Sequence, residues 1–365
     1  MSLNGSAARL VVAWLSVGAF LFGGTALLGA TPAAVTVALF AWLLAVILWS
    51  AFGVVHEAEA LAERLGEPLG TLVLTLSIVI IEVALIAGVM LDAKGAPTLG
   101  RDTMFAVLMI VLNGVVGLGL LVGGLRHHQQ TYNLQGASAY LAVIFPLTMI
   151  ALVLPNFTAS TGVGTLSRLQ SVFFSVFTIL LYMLFLWLQT GRYRGFFAEE
   201  SAEHADAGAE HAPDGGPLAR NVVLLLANIL PIVILSKSIA KLLDRGIVAL
   251  GAPIALGGVV IAMIVFMPEG ISALRAVAAN QLTRAINLCL GAAASTLGLT
   301  VPAVLLIGLL TGQTVVLGVS QANMVLLAVT MLLGALTFSS GRTTMLEGAV
   351  HLTMFFVFVV LVFSP

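Results

Sequence analysis

Two glutamates lie inside apolar stretches that are long enough to cross a membrane: Glu82 in SIVIIEVALI and Glu269 in IVFMPEGISA. A carboxylate at the centre of a bilayer costs at least about 2.5 kcal/mol on insertion scales, so an acid there indicates a function. The nearest basic residue along either stretch is Arg275. A desolvated carboxyl favours its protonated form, whereas a bound cation favours the carboxylate. Protons and cations would therefore compete for these groups, although a neutral acid that is hydrogen-bonded within a bundle is the alternative.

The second glutamate stands between a proline and a glycine, Pro268 and Gly270. Proline has no N–H to donate, and its ring crowds the carbonyl four residues earlier, which here belongs to Ile264. The sequence therefore predicts a helix break at Pro268 and Gly270. The freed Ile264 carbonyl oxygen would join Glu269 around a cation, because Na⁺ and Ca²⁺ take oxygen ligands. A kink that serves packing alone is the alternative.

Each glutamate is followed by an apolar stretch that carries further polar side chains. Asn113 lies in the stretch after the first glutamate, and Asn287, Ser295 and Thr296 lie in the Gly/Ala-rich stretch after the second. A cation needs several oxygens, so these side chains are candidate supporting ligands. Hydrogen bonds and small-residue packing between helices would explain them equally well.

The composition places these residues in a membrane. Hydrophobic residues make up 60% of the 365-residue chain and charged residues 8%, and the mean hydropathy is +1.13. These values predict an all-α integral membrane protein. The net charge of -1 argues against a nucleic-acid partner, and the single cysteine, Cys289, excludes an internal disulfide framework. No sequence motif indicates a bound cofactor or an enzyme.

Apolar runs of about 20 residues predict about eleven transmembrane helices. They lie near residues 9–30, 33–55, 69–91, 103–124, 136–156, 167–190, 220–238, 252–274, 283–311, 322–339 and 343–363.

A related pair of segments indicates an internal repeat. GEPLG at 66–70 precedes the first glutamate, and GAPIALG at 251–257 precedes the second. Five predicted spans separate the two positions, an odd number, so the repeats would have opposite orientations, as in many secondary transporters. We expect an extra N-terminal helix and a 5+5 inverted repeat.

The predicted division of the chain follows from this repeat. It comprises the extra helix (1–32), a first repeat (33–190), an acidic cytoplasmic linker (191–219) and a second repeat (220–365). The distribution of Lys and Arg favours a cytoplasmic N-terminus and an external C-terminus. The linker is either a solvated connection or an acidic collar that attracts cations.

The last span begins with Thr344-Met-Leu-Glu347, which is the pattern of a helix capping box. His351, one turn later, could share a proton with Glu347, but a histidine whose hydrogen bonds are satisfied inside the bundle is the simpler interpretation.

Three segments of the chain resemble a known family. They are EAEALAERLGEPLGTLVLTLSIVIIEVALI (57–86), MPEGISALRAVAANQLTRAIN (267–287) and SSGRTTMLEGAVHL (339–352). All three are similar to the Ca²⁺/cation antiporter superfamily, and most like its bacterial ChaA-type branch of sodium, potassium or calcium to proton antiporters. The resemblance implies that Glu82 and Glu269 are the paired carboxyls of the two repeats.

The chain also departs from the calcium-exchanger pattern of that superfamily. The Gly and Asn that usually precede each carboxyl are missing, Gly270 stands where a histidine is usual, and Ser340 stands where an aspartate is usual. These departures leave Na⁺ and K⁺ open as transported ions beside Ca²⁺.

The sequence thus predicts a cation/proton antiporter of the bacterial inner membrane. Alternating access around Glu82 and Glu269 would exchange H⁺ for Ca²⁺, Na⁺ or K⁺, and the lipid bilayer is the expected partner. A passive cation channel and a non-transporting receptor or scaffold are the alternatives. Both a monomer and a homo-oligomer are compatible with the sequence.

Overall fold

The computed structural model describes residues 3–29, 32–92, 97–197 and 218–364, and almost all of them are helical. The α-helices of this part of the chain are α1 (Leu3–Leu27), α2 (Ala33–Leu65), α3 (Leu69–Asp92), α4 (Leu99–Leu108), α5 (Val116–His127), α6 (Leu134–Thr148), α7 (Arg168–Thr190), α8 (Leu218–Leu250), α9 (Ala255–Ala278), α10 (Leu282–Ser295), α11 (Val301–Thr311), α12 (Gln321–Thr337) and α13 (Met345–Phe363).

Each of the eleven predicted spans corresponds to apolar helix in the structure. Ten helical stretches in the described residues are long and apolar enough to cross a membrane, and α12 is a shorter apolar helix. Two of the ten, Leu99–His127 and Leu282–Thr311, combine α4 with α5 and α10 with α11. The all-α membrane architecture follows directly from the apolar runs, because a backbone in lipid must satisfy its hydrogen bonds within the segment.

The helices pack as two compact units. The first comprises Met1–Leu99 and Ala212–Pro268, and the second comprises Gly100–His211 and Glu269–Pro365. This division differs from the predicted bounds of the two repeats, which stay a prediction. Of the predicted linker, 191–219, only residues 191–197 and 218–219 are among the described residues.

The first unit is built around α2, which packs against α1, α3 and α8. Its buried face includes Leu43, Ile47 and Val54, spaced as one face of a helix requires. α1 begins six residues before the predicted start, so Arg9 lies within the helix and is buried. The Arg9 Nε donates a hydrogen bond of 2.9 Å to Asn228 Oδ1 on α8.

The second unit pairs α5 with α13, α6 with α10, and α7 with α11. Glycine allows the closest of these approaches, because a Cβ added at Gly117 would lie 2.9 Å from both the His351 Cβ and the Leu352 nitrogen. A short antiparallel pair of strands, β1 (Gln130–Thr131) and β2 (Arg342–Thr343), connects the chain before α6 with the chain before α13.

π-Helical turns interrupt the spans of the second unit. They occupy Met109–Val115 between α4 and α5, Met149–Val153 after α6, and Thr296–Thr300 between α10 and α11. Such turns are rare and occur frequently at functional sites.

The helix break predicted at Pro268 and Gly270 is not observed, since α9 continues from Ala255 to Ala278. Proline removes one backbone hydrogen bond, yet the residues on both sides of Pro268 stay α-helical. The irregular backbone lies instead one span later in each half, at the π-helical segments that contain Asn113 and Thr296.

Candidate functional site

The two intramembrane glutamates are buried. Glu82 lies in α3 and is 1% exposed, and Glu269 lies in α9 and is 9% exposed. Glu82 belongs to the first compact unit, whereas the second unit's share of α9 begins with Glu269. Ile264 is buried and lies one turn before Pro268. Because proline has no N–H, Pro268 cannot donate a hydrogen bond to the Ile264 carbonyl oxygen.

The structure contains no acid-rich metal centre in the residues that it describes. No group of three or more His, Cys, Asp or Glu side chains there could hold a metal ion. A cation bound by either glutamate would therefore need additional oxygens from amides, hydroxyls or backbone carbonyls, which suit hard cations.

Asn113 lies in the first π-helical segment and is fully buried. Its Nδ2 donates a hydrogen bond of 2.8 Å to Thr330 Oγ1 on α12. Its Oδ1 is 3.1 Å from Nδ1 of His351 on α13. The predicted supporting ligand is thus held by side chains from two other helices of the same unit.

His351 is 1% exposed and is hydrogen-bonded through both ring nitrogens. Nδ1 faces Asn113, and Nε2 is 3.0 Å from Thr337 Oγ1. The prediction of a satisfied buried histidine is therefore confirmed. Glu347, which the alternative paired with His351, accepts a hydrogen bond of 2.6 Å from the Thr344 backbone N–H, as a capping box requires.

The candidate ligands after Glu269 have different environments. Thr296 is buried in the second of the paired π-helical segments. Ser295, directly before it, donates a hydrogen bond of 3.0 Å to the Ala292 carbonyl. Asn287 is half-buried, and its Nδ2 donates to the Phe197 carbonyl at 2.7 Å. Asn287 thus anchors the turn after α7.

Three buried polar residues, Thr330, Thr337 and Arg9, were not predicted from the sequence. Thr330 and Thr337 are seven residues apart on α12, which is two helical turns and therefore one face, but threonine is common enough in spans that this spacing alone indicates little. The sequence places Arg9 at the edge of a span, and only the fold shows that Gly53 makes room for its side chain and that Asn228 accepts its hydrogen bond.

Comparison with known proteins decides the family. The model of the family described as "Sodium/calcium exchanger protein" matches residues 35–191 and 220–364. The chain belongs to the sodium/calcium exchanger family. Both matched regions contain one of the buried glutamates, and the gap between them coincides with the predicted linker.

Two bacterial proteins are similar to this chain over most of their length. The protein y4hA of Sinorhizobium fredii (strain NBRC 101917 / NGR234) is 41% identical over 315 residues, which cover 86% of this chain and 85% of that protein. The sodium-potassium/proton antiporter ChaA of Escherichia coli (strain K12) is 37% identical over 322 residues, 87% of each chain. The chain is thus a multi-pass membrane protein from a family of cation transporters.

Solved structures of exchangers share the fold. The structure of native YfkE superposes with a TM-score of 0.74 at 18% identity, covering 98% of this chain and 100% of that one. The H⁺/Ca²⁺ exchanger CAX gives a TM-score of 0.68 at 13% identity, covering 97% of this chain and 87% of that one. The all-helical architecture, with an extra N-terminal helix and inverted repeats, is therefore that of the exchangers.

Proposed function

We propose that the chain is a secondary active antiporter that exchanges protons for a cation. The observation that carries this proposal is the pair of buried glutamates, Glu82 and Glu269, each on a continuous apolar helix. Each is followed by a span whose helix is interrupted at a buried polar residue, Asn113 or Thr296. Carboxyl groups in such surroundings take up either a proton or a cation.

The transported cation is Na⁺ or K⁺ in this proposal, with Ca²⁺ as the ion to compare. The relative that is named a sodium-potassium/proton antiporter is 37% identical, whereas the relatives named Ca²⁺/H⁺ antiporters are 22% and 25% identical. The chain also lacks the Gly-Asn pair before each carboxyl that the calcium-exchanger pattern supplies, so fewer amide oxygens surround the ion.

Glu82 and Glu269 hold the ion in this mechanism and release it when they are protonated. Asn113, Thr296, Ser295 and the Ile264 carbonyl are supporting ligands. We assign Asn287 a structural role, because its amide is hydrogen-bonded to the turn after α7. Alternating access would expose the site to one side of the bacterial inner membrane at a time, with the N-terminus in the cytoplasm and the C-terminus outside.

Everted membrane vesicles test this function. An imposed pH gradient is followed with a pH-sensitive dye while Na⁺, K⁺ or Ca²⁺ is added to wild type, Glu82→Gln and Glu269→Gln. The wild type should dissipate the gradient on addition of its cation, and both variants should fail to do so at equal expression. Glu347→Gln is the matched control, since its amide oxygen can still accept the Thr344 N–H and exchange should persist.

Three outcomes count against the proposal. Cation flux without proton movement would indicate a channel, and the absence of flux for every cation would indicate a non-transporting protein. Wild-type exchange by Glu82→Gln or Glu269→Gln would remove that glutamate from the site.

A further inference from the structure

Four side chains of the second unit form a chain of hydrogen bonds in which each one donates to the next. The chain runs from Thr337 on α12 to His351 on α13, then to Asn113 in the first π-helical segment and back to α12 at Thr330. Thr330 Oγ1 lies 2.8 Å from the Leu326 carbonyl, to which it donates. Its hydroxyl hydrogen is therefore committed, and it can only accept from Asn113 Nδ2 at 2.8 Å. This places the Asn113 amide nitrogen toward α12 and the amide oxygen toward α13.

The same logic sets the state of His351. Because Asn113 presents its oxygen, Nδ1 of His351 must carry a hydrogen and donate it over 3.1 Å. In the neutral ring Nε2 is then an acceptor, and the Thr337 hydroxyl donates to it at 3.0 Å. The tautomer of a histidine is set in this way by the partner of its other nitrogen.

The chain opposes a turn of the Asn113 amide by itself. A flipped amide would match its neighbours only if His351 took the other tautomer and the Thr330 hydroxyl rotated to donate at the same time. Without both changes, the two contacts would lose their donor–acceptor match. Asn113, Thr330 and His351 are each at most 1% exposed, so water cannot restore the lost bonds, and unsatisfied buried polar groups cost about 1–3 kcal/mol each.

One lone pair of the Asn113 oxygen remains after the bond with His351, because an amide oxygen accepts two hydrogen bonds or ligands. Groups that bind metal ions are commonly oriented by such outer hydrogen bonds, and loss of these bonds weakens ion binding. The packing supports a fixed geometry here, since Gly117 lets α5 approach the Cβ of His351 within van der Waals contact.

We propose that His351, supported by Thr337, is a positioning residue for cation binding: it donates to the Asn113 oxygen and so holds the remaining lone pair of that oxygen toward the ion. Thr330 fixes the other end of the same amide. This inference rests on the proposed function, in which Asn113 is a supporting ligand, and assigns roles to three residues on α12 and α13.

Two replacements of His351 distinguish this role from a general structural one. In His351→Asn the side-chain amide nitrogen occupies roughly the place of Nδ1 and can still donate to Asn113. In His351→Gln the amide reaches roughly the place of Nε2, toward Thr337, and the donor to Asn113 is lost. Both variants are polar and smaller than histidine, so a merely structural role predicts similar effects from both.

The measurement is the apparent KM for the transported cation in everted vesicles, together with Vmax and the thermal stability of each purified variant. We expect His351→Gln to raise KM about tenfold, the lower end for loss of an outer hydrogen bond to a metal ligand. We expect His351→Asn to stay within about threefold of wild type, because its side-chain amide keeps a neutral hydrogen bond to the Asn113 oxygen. Thr330→Val should raise KM as His351→Gln does, and Thr330→Ser should not.

A double-mutant cycle shows whether His351 acts through Asn113. Asn113→Ala should raise KM, and adding His351→Gln should produce no further increase. Independent effects would multiply instead.

Several results would overturn the positioning role. They are equal KM values for His351→Gln and His351→Asn, multiplicative effects in the cycle, and a wild-type KM for Asn113→Ala. A wild-type KM for Asn113→Ala would also remove Asn113 from the supporting ligands. None of these results touches proton-coupled exchange itself, which fails if Glu82→Gln and Glu269→Gln both retain exchange, if the cation moves without protons, or if the wild type shows no flux.

Discussion

Substituting alanine for Gly348 tests the closest helix contact of the second unit. Gly348 lies on α13, and a Cβ there would meet the Leu121 backbone nitrogen and lie 2.8 Å from the Gly117 carbonyl oxygen. These neighbours are backbone atoms, so no side chain can rotate out of the way. α5 and α13 must move apart by at least about 0.6 Å, which brings the carbonyl contact alone to the ordinary 3.4 Å, and the nearer Leu121 nitrogen requires more.

The movement also affects the hydrogen bond that positions Asn113. His351 is three residues after Gly348, and Asn113 is four residues before Gly117. At these spacings His351 shares a helix face with Gly348, and Asn113 shares one with Gly117. A 0.6 Å separation would lengthen the 3.1 Å bond between His351 and Asn113 to about 3.7 Å, beyond the range of a hydrogen bond.

The expected loss of stability is about 2 kcal/mol. Overpacking costs about 1–3 kcal/mol and the lost hydrogen bond about 1 kcal/mol, while the better helix propensity of alanine returns up to about 1 kcal/mol. With an unfolding entropy of about 2.1 cal/mol/K per residue, a chain of 365 residues loses about 1.3 °C per kcal/mol, so the Tm should fall by about 3 °C.

Thermal unfolding of the detergent-solubilised protein measures this effect, and KM for the cation should rise in the same variant. Gly246→Ala on α8 is the matched control, because nothing lies within 4 Å of its added Cβ, and its Tm should stay or increase. A Tm for Gly348→Ala at or above wild type would refute the close approach of α5 and α13.

Three further changes have defined outcomes. Gly53→Ala places a methyl group against the buried guanidinium of Arg9, so we expect a lower Tm and faster proteolysis of α1; equal proteolysis would contradict the contact. Glu347→Ala removes the acceptor of a helix-capping bond and should cost about 1 kcal/mol, whereas Glu347→Gln should keep wild-type stability in the same unfolding assay. Asn156→Ala removes a 2.7 Å bond to the Val319 carbonyl, and hydrogen exchange across 313–320 should become faster; unchanged exchange would show that other bonds hold this segment.

The spans were predictable because each needs only a local property. A run of about 20 apolar residues can satisfy its backbone in lipid only as a helix, so the positions of α3 or α7 follow from composition. The capping box at Glu347 was predictable for the same reason, since its residues are neighbours in the chain.

The place of the irregular backbone was only partly predictable from local rules. Proline and glycine beside Glu269 indicated a break there, yet α9 is continuous. Pro302 lies two residues after the π-helical turn that contains Thr296, but the turn that contains Asn113 has no proline in it or beside it. A π-helical turn is stabilised by contacts with other helices, which a single stretch of sequence does not reveal.

Sequence alone thus determined which residues lie in the membrane, that two carboxyls are buried there without a basic neighbour in their own stretch, and which family they resemble. These depend on hydropathy and on residue identity along the chain. Only the tertiary structure decided that Asn113 is held by His351 and Thr330, which are 238 and 217 residues away. The reason is physical: the direction of a hydrogen bond depends on which donors and acceptors the packing of α12 and α13 brings to the amide, and no periodicity in the chain encodes that meeting.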